Sequence, residues 1–215
     1  MAERGLYPDG EQRRRIMDFI MAAGQTLLEN GAEVFRVEQT MEIMAASFHL
    51  REFHVYVLTN GIFASAGTAE MSEVRNVPTR TTHLGRVAAV NQLSRQIASG
   101  EVDTIDVAET RLAQARCIPF PKDWVQLAAG MGGAFCFALI FGGDLQAALA
   151  AAAAGVAANA YLLFCGRHGV GGGFRTISTA ALITLCCILG CSLLGTEASH
   201  SIIGSLMILT PGIAF

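Results

Sequence analysis

The chain has 215 residues, of which 52% are hydrophobic and 15% charged, and its mean hydropathy is +0.44. These values are too apolar for an ordinary soluble domain of this length and indicate a membrane protein. The net charge of −3, with basic residues scattered along the chain, gives no reason to expect a nucleic-acid partner.

The charged residues are distributed unevenly. Residues 1–123 have the charge density of a water-soluble domain, whereas residues 124–215 are almost free of charge. The exceptions in the second part are Asp144, Arg167, Arg175 and Glu197. The first fifteen residues are polar and lack the apolar core of a secretory signal, so we expect the first part to stay in the cytosol. Most of the six cysteines fall in apolar runs without zinc-type spacing, and we expect no metal and no cofactor.

Two helices are predicted at the start of the chain. Residues 11–30 carry apolar side chains at three- and four-residue spacing, and Gly31 follows as a C-terminal stop. A second helix has an apolar face formed by Val34, Val37, Met41, Met44 and Phe48.

A β-hairpin and two more helices are predicted next. Residues 51–59 and 62–66 are rich in β-forming residues and flank Asn60-Gly61, a turn sequence in which both residues favour positive φ. A third helix carries Leu84, Val87, Val90, Leu93 and Ile97 and ends at Gly100. Asp103 is predicted to cap a fourth helix that turns Ile105, Ala108 and Leu112 inward. Residues 1–118 are therefore predicted to form a small cytosolic α+β domain.

Residues 119–215 are predicted to form an all-α transmembrane bundle. Pro119 and Pro121 break the chain, and apolar runs then occupy residues 124–141, 145–165, 176–194 and 201–215. The first three runs have the roughly 20 residues that a helix needs to cross a bilayer. The fourth is too short, so we expect it to be a truncated or re-entrant span. The glycine-rich segment 169–173 is interpreted as a flexible connector.

The loops between the runs predict their orientation. Cytoplasmic loops are enriched in Lys and Arg. Arg167 and Arg175 lie in the loop between the second and third runs, whereas Asp144 and Glu197 lie in the other two loops. We therefore expect the N-terminal domain and the arginine-containing loop on the cytoplasmic side.

Polar residues inside the apolar half are candidates for a substrate path. Asn159 lies two-thirds along the second run, where its amide serves either a substrate path or a contact between helices. Thr210, Pro211 and Gly212 interrupt the fourth run, as in the broken helices that line transporter sites. Arg167 and Arg175 are candidates for attracting anions at the inner mouth, although topology alone also explains them.

The N-terminal domain contains one further group of candidates. Glu33, Arg36 and Glu38 follow one another at the start of the second helix, and Glu33 and Arg36 have the i,i+3 spacing of an ion pair. They indicate either a charged site facing the pore mouth or a solvated helix face. The chain contains no G-x-S-x-G, H-E-x-x-H or Walker sequence, and we do not expect an enzyme.

Several segments together resemble one family. Residues 23–38 read AGQTLLENGAEVFRVE, which resembles the opening motif of the N-terminal domain in the threonine/serine exporter family. Segments that fit the same pattern in the same order are NQLSR at 91–95, PFPKDW at 119–124, FGG at 141–143 and Pro211-Gly212. The family contains fused exporters of threonine and serine, and also split pairs, one of them assigned to succinate export with a larger subunit of this layout.

The resemblance implies a function driven by the proton-motive force. Under this hypothesis the chain is one subunit of a secondary exporter that moves a small carboxylate metabolite, threonine/serine or a succinate-like dicarboxylate, out across the bacterial inner membrane. A smaller integral-membrane subunit would be its partner, and the lipid bilayer its surroundings. The alternative hypothesis is a membrane-anchored sensor or scaffold whose cytosolic domain does the work without transport.

Overall fold

The structure, a computed structural model, describes residues 10–67, 71–78 and 81–209. The chain divides into two compact units, Met1–Phe120 and Pro121–Phe215. The described elements of unit 1 are α1 (Gly10–Glu29), α2 (Val34–Ser47), β1 (His54–Leu58), β2 (Gly61–Ala66), β3 (Met71–Asn76), α3 (Leu84–Ala98) and α4 (Ile105–Arg116). Those of unit 2 are α5 (Asp123–Ile140), α6 (Leu145–Arg167), α7 (Gly172–Leu194) and α8 (Ala198–Leu206).

The helices of unit 1 form where the apolar spacing predicts them. Their apolar faces are buried in one core that also covers the inner face of the sheet. Helices α1 and α2 approach closely at Gly24, where a Cβ atom would collide with Sδ of Met41. Gly31 ends α1 as predicted, because its φ of +90° is strained for other residues and lets the N–H of Ala32 donate to the carbonyl of Leu27.

One predicted helix cap is wrong. Asp103 lies before the cap position, and Thr104 is the N-cap of α4, without a hydrogen bond from its side chain. The inward positions were predicted correctly, since Ile105, Ala108 and Leu112 are buried. Helix α4 is held to α1 on the surface by Arg15, which donates to Asp106 and Glu109 at 2.6 Å each.

The predicted hairpin is present, but its turn differs from the prediction. Strands β1 and β2 pair antiparallel, with Leu58 opposite Gly61, so the two-residue loop is Thr59-Asn60. None of Thr59, Asn60 and Gly61 has a positive φ, because Gly61 belongs to β2 and pairs with Asn76 of β3. The carbonyl of Asn60 also accepts from the N–H of Val77, at 2.8 Å. The third strand, β3, was not predicted.

Among the described residues of unit 2, three helices, α5, α6 and α7, are long and apolar enough to cross a membrane. Helix α5 has 18 residues, about 27 Å at 1.5 Å per residue. Helix α7 begins at Gly172, so the connector prediction for 169–173 is wrong in its last residues and Arg175 lies in the first helical turn, not in the loop. The fourth segment contains only α8, nine residues long, among the described residues. The rest of the predicted span, from residue 210 onward, lies outside them.

Small residues set the packing of unit 2. The alanines and Gly155 of α6 form most of its buried surface. A Cβ atom on Gly155 would lie 2.5 Å from the carbonyl oxygen of Gly130 on α5. A Cβ atom on Gly204 of α8 would lie 2.5 Å from the backbone nitrogen of Ala138. Both pairs of helices therefore touch backbone to backbone, as small residues allow in membrane proteins.

Candidate functional site

The amide of Asn159 lies where α5 and α6 come closest. Its Nδ2 donates to the carbonyl of Gly155 at 3.1 Å, one turn earlier on α6. The same nitrogen occupies the space that a Cβ atom on Gly130 would need. The carboxamide oxygen has no hydrogen-bond partner among the described residues. Only glycine at position 130 leaves room for the amide, which bonds within its own helix rather than across to α5.

The two arginines of the predicted inner mouth have different surroundings. Arg167, at the end of α6, forms an ion pair with Asp123 at the start of α5. Arg175 is half-buried in the first turn of α7 and has no acidic partner among the described residues. Its carbonyl accepts from the hydroxyl of Thr179 at 2.6 Å. Asp123 largely neutralises the charge of the exposed Arg167, so Arg175 is the stronger candidate for attracting an anion.

Helices α6 and α7 share one polar contact near these arginines. The hydroxyl of Tyr161 donates to Oγ of Ser178 at 3.0 Å, and Ser178 in turn donates to the carbonyl of Phe174 at 2.7 Å. On α6 itself, Asn159, Tyr161 and Arg167 lie within about two helical turns of one another. This part of the unit carries an amide, a phenol and cations, which are groups able to bind a carboxylate or a hydroxyl.

Helix α8 brings two buried hydroxyls into the bundle that the sequence analysis did not identify. Ser205 donates to the carbonyl of Ala151 at 3.4 Å and lies 3.5 Å from Sγ of Cys187. Ser201, one turn earlier, is fully buried, and its Oγ has no partner among the described residues. The signal was the i,i+4 spacing of two serines in an apolar run, which places both on one helix face.

The opposite end of unit 2 is held together by Asp144. Its Oδ1 accepts from the N–H of Ala147 at 2.7 Å and caps α6. Its Oδ2 accepts from the hydroxyl of Thr196 at 3.1 Å, in the turn between α7 and α8. The loops that carry Asp144 and Glu197 therefore lie at the same end of the unit, as an alternating topology requires.

The three charged candidates of unit 1 do not converge on one site. Nε of Arg36 lies 3.6 Å from Oε2 of Glu33, and these side chains are 71% and 52% exposed. Such exposed pairs contribute little, from about 0 to 1 kcal/mol. Glu38 instead accepts from the backbone N–H of Val57 on β1 at 2.8 Å, which is a structural bond between α2 and the sheet.

The interrupted segment Thr210, Pro211 and Gly212 lies outside the described residues, so its place in the bundle stays a prediction. The described polar groups are uncharged along the interior of unit 2 and charged only at its two ends. Hydroxyls and amides inside an apolar bundle form directional hydrogen bonds without the high cost of a buried charge. This distribution fits a path for a small polar solute.

Comparison with known proteins identifies the family of the chain. A family model described as "Putative threonine/serine exporter" matches residues 18–215. The "Probable threonine/serine exporter" of Mycobacterium tuberculosis (strain ATCC 25618 / H37Rv) is 26% identical over 211 residues, which cover 95% of this chain and 39% of that protein. No solved structure matches. Since the family model covers most of the chain, this protein belongs to the threonine/serine exporter family.

Proposed function

We propose that this chain is part of a secondary exporter that moves a small carboxylate metabolite, threonine or serine or a succinate-like dicarboxylate, out of the cell. The observation that carries the proposal is the amide of Asn159, held at the backbone contact between α5 and α6 in a chain of the exporter family. The chain spans 39% of the length of its relative from M. tuberculosis, whose name supports threonine and serine as the first substrates to test.

The proposed substrate path runs through unit 2. Asn159 offers its free carboxamide oxygen to a substrate ammonium or hydroxyl group, and Thr210, Pro211 and Gly212 contribute a break in the fourth segment. Arg175, whose charge no described carboxylate balances, attracts the substrate carboxylate at the cytoplasmic mouth. Arg167 contributes less there because Asp123 neutralises it.

The proposed orientation places unit 1 in the cytoplasm and the chain in the bacterial inner membrane. Arg167 and Arg175 then lie on the positive side, and Asp144 and Glu197 on the outer side. The hydrogen bond between Thr196 and Asp144 supports this alternation, because it joins the two loops that carry the acidic residues.

A smaller integral-membrane subunit is the proposed partner. Helix α5 has a face of small residues that no described residue fills: Cβ atoms on Gly132 and Gly133 would meet nothing within 4 Å. Ala129 and Cys136 are exposed at four-residue spacing from these glycines. Small residues four apart allow a second transmembrane helix to approach closely. This face is where the partner subunit would dock.

The proposal is tested by deleting the gene in cells that overproduce threonine, serine or succinate. Loss of an exporter predicts a higher intracellular level of at least one of these metabolites and a lower initial efflux rate. Restoring the gene reverses both effects. Equal retention and efflux of all three metabolites in deleted and parent cells would refute the exporter proposal.

A second function, a membrane-anchored sensor or scaffold, is favoured by one feature of unit 1. The outer face of its sheet forms an open groove of about 360 Å³, lined by residues that include His54, Tyr56, Phe63 and Val74. A sensor predicts that substitutions in this groove change the cellular response while Asn159→Ala leaves it intact. An exporter predicts the reverse for efflux.

A further inference from the structure

The outer face of the sheet in unit 1 carries an unusual row of large apolar side chains. Tyr56, Phe63 and Val74 lie opposite one another on the three strands. Their exposed fractions are 62%, 43% and 65%. Val74 brings this row to β3, which is an edge strand of the sheet.

The row ends at a strand edge that is open among the described residues. The sheet order is β1-β2-β3, so β3 has one neighbour only. The other edge strand, β1, is protected at Val57 by the carboxylate of Glu38. Residues 71–76 contain neither proline nor lysine, and the inward-facing Glu73 and Arg75 protect the edge only from strands that do not offer them opposite charges.

The inward-facing charges of β3 select one register for pairing with a copy of itself. Opposed residues in an antiparallel pair must point to the same face, so registers change in steps of two. If the two β3 strands pair about Glu73, the Glu73 side chains of the two copies lie opposite each other. If they pair about Arg75, the two Arg75 side chains do. A pair centred on Val74 opposes Glu73 to the partner's Arg75 twice. Like charges directly opposite destabilise a sheet and unlike charges stabilise it.

The remaining positions of the Val74-centred register also match. Val74 meets the same residue of the second copy on the outer face, and Ser72 meets the partner's Asn76. On the inner side, a groove of about 300 Å³ between α1 and β3 is lined by Asp18 and Glu73 and by one cation, Arg14, among others. It leaves room near two carboxylates for the arginine that the second copy would bring.

We propose that β3 is a homodimer interface, at which two copies of this chain pair antiparallel about Val74 into one six-stranded sheet. Arg75 now pairs within its own chain, with Glu73 at 2.6 Å and Asp18 at 3.4 Å. In the dimer, Arg75 of each copy binds Glu73 of the other copy instead of Glu73 of its own chain. The two apolar rows become continuous across the dimer axis.

Cysteine cross-linking of the full-length protein in membranes tests the register. Residues opposite each other in an antiparallel pair have Cα atoms about 4.5–5.5 Å apart, within the range of a disulfide. Val74→Cys, in a background where the exposed Cys117 and Cys136 are replaced by alanine, therefore cross-links to a dimer under mild oxidation. With Ser72→Cys instead, the two cysteines of the dimer lie four residues out of register, about 13 Å apart along the strands. This variant does not cross-link. Tyr56→Cys, on the far strand, is the second control.

A charge exchange tests the pairing in trans. Glu73→Arg and Arg75→Glu, each combined with Val74→Cys, oppose like charges at two sites, and each lowers its own cross-linking at least about fivefold. Mixing the two variants, tagged differently, restores unlike charges at both sites and recovers the mixed dimer. If these residues acted only within one chain, mixing the two variants would not recover the cross-linking. Thermal unfolding of each variant checks that the domain remains folded.

Two results would overturn the proposal. One is that Val74→Cys gives no dimer, or no more dimer than Tyr56→Cys, whose cross-linking reports random collision. The other is equal cross-linking of the charge variants alone and mixed. Neither result bears on efflux, so the exporter proposal is tested separately.

Discussion

Gly155→Ala tests most sharply whether α5 and α6 touch backbone to backbone. The added Cβ atom would lie 2.5 Å from the carbonyl oxygen of Gly130, which is 0.9 Å short of the 3.4 Å at which ordinary contact begins. It would also lie 2.9 Å from Cβ of Ala134. Because a backbone atom blocks it, no side-chain rotation relieves the overlap and the helices must separate.

The size of the effect follows from two opposing contributions. Overpacking costs about 1–3 kcal/mol. Replacing glycine by alanine inside a helix gains about 1 kcal/mol. Gly155→Ala is therefore expected to lose up to about 2 kcal/mol of unfolding free energy. Gly133→Ala, on α5 with nothing within 4 Å of its Cβ position, is expected to gain about 1 kcal/mol.

The assay is the unfolding of purified full-length protein in a mild detergent, followed by circular dichroism. The two variants are expected to differ by the overpacking cost, about 1–3 kcal/mol. Equal unfolding midpoints for Gly155→Ala and Gly133→Ala would refute the close contact between α5 and α6. It would also remove the reason for placing the Asn159 amide at that contact.

Three further predictions concern individual polar side chains. Glu38→Ala leaves the N–H of Val57 without its acceptor and is expected to cost about 1–3 kcal/mol in thermal unfolding; an effect no larger than that of exposed Glu42→Ala would contradict the bond. Burial lowers the pKa of Arg116, but the guanidinium stays charged at neutral pH and donates to Thr26 and the carbonyl of Ala22 at 2.7 and 2.9 Å. Arg116→Met is therefore expected to cost about 1.5–3 kcal/mol with no change between pH 6 and pH 8; a cost that varies over this interval would point to a different partner. Asp144→Ala removes the cap of α6 and the bond to Thr196 and is expected to cost about 1–2 kcal/mol, while Glu197→Ala, without a side-chain cap bond, is expected to have a smaller effect; equal losses would argue against the cap.

The helices of both units could be predicted, those of unit 1 from the period of their apolar residues and those of unit 2 from the length of their apolar runs. In unit 1, residues such as Val37, Met41 and Met44 recur on one helix face, and all three are buried. In unit 2, the length of uninterrupted apolar sequence was enough to place α5 and α6 within two residues of their ends. Local sequence determines these features, so no knowledge of tertiary contacts was needed.

Features that depend on tertiary contacts were not predicted. Strand β3 contains Ser72, Glu73 and Asn76, which are poor strand formers, and it exists because β2 offers it a pairing edge. The glycines at the start of α7 predict a connector rather than a helix, because glycine lowers helix propensity. In the candidate site, Asn159 was identified from its rarity in an apolar run. Its neighbour Gly130 was not, because that contact depends on how two helices cross.

Efflux measured for Asn159→Ala most directly tests the claim that unit 2 forms a transport path. Alanine removes the amide without filling the space beside Gly130, and Leu149→Ala, at an exposed position on the same helix, is the matched control. At equal amounts of protein in the membrane, Asn159→Ala is expected to lower the initial rate of threonine or serine efflux at least about tenfold, because a hydrogen bond of about 1.4 kcal/mol is lost. Leu149→Ala is expected to leave the rate unchanged. Efflux at the parent rate in Asn159→Ala would contradict the claim.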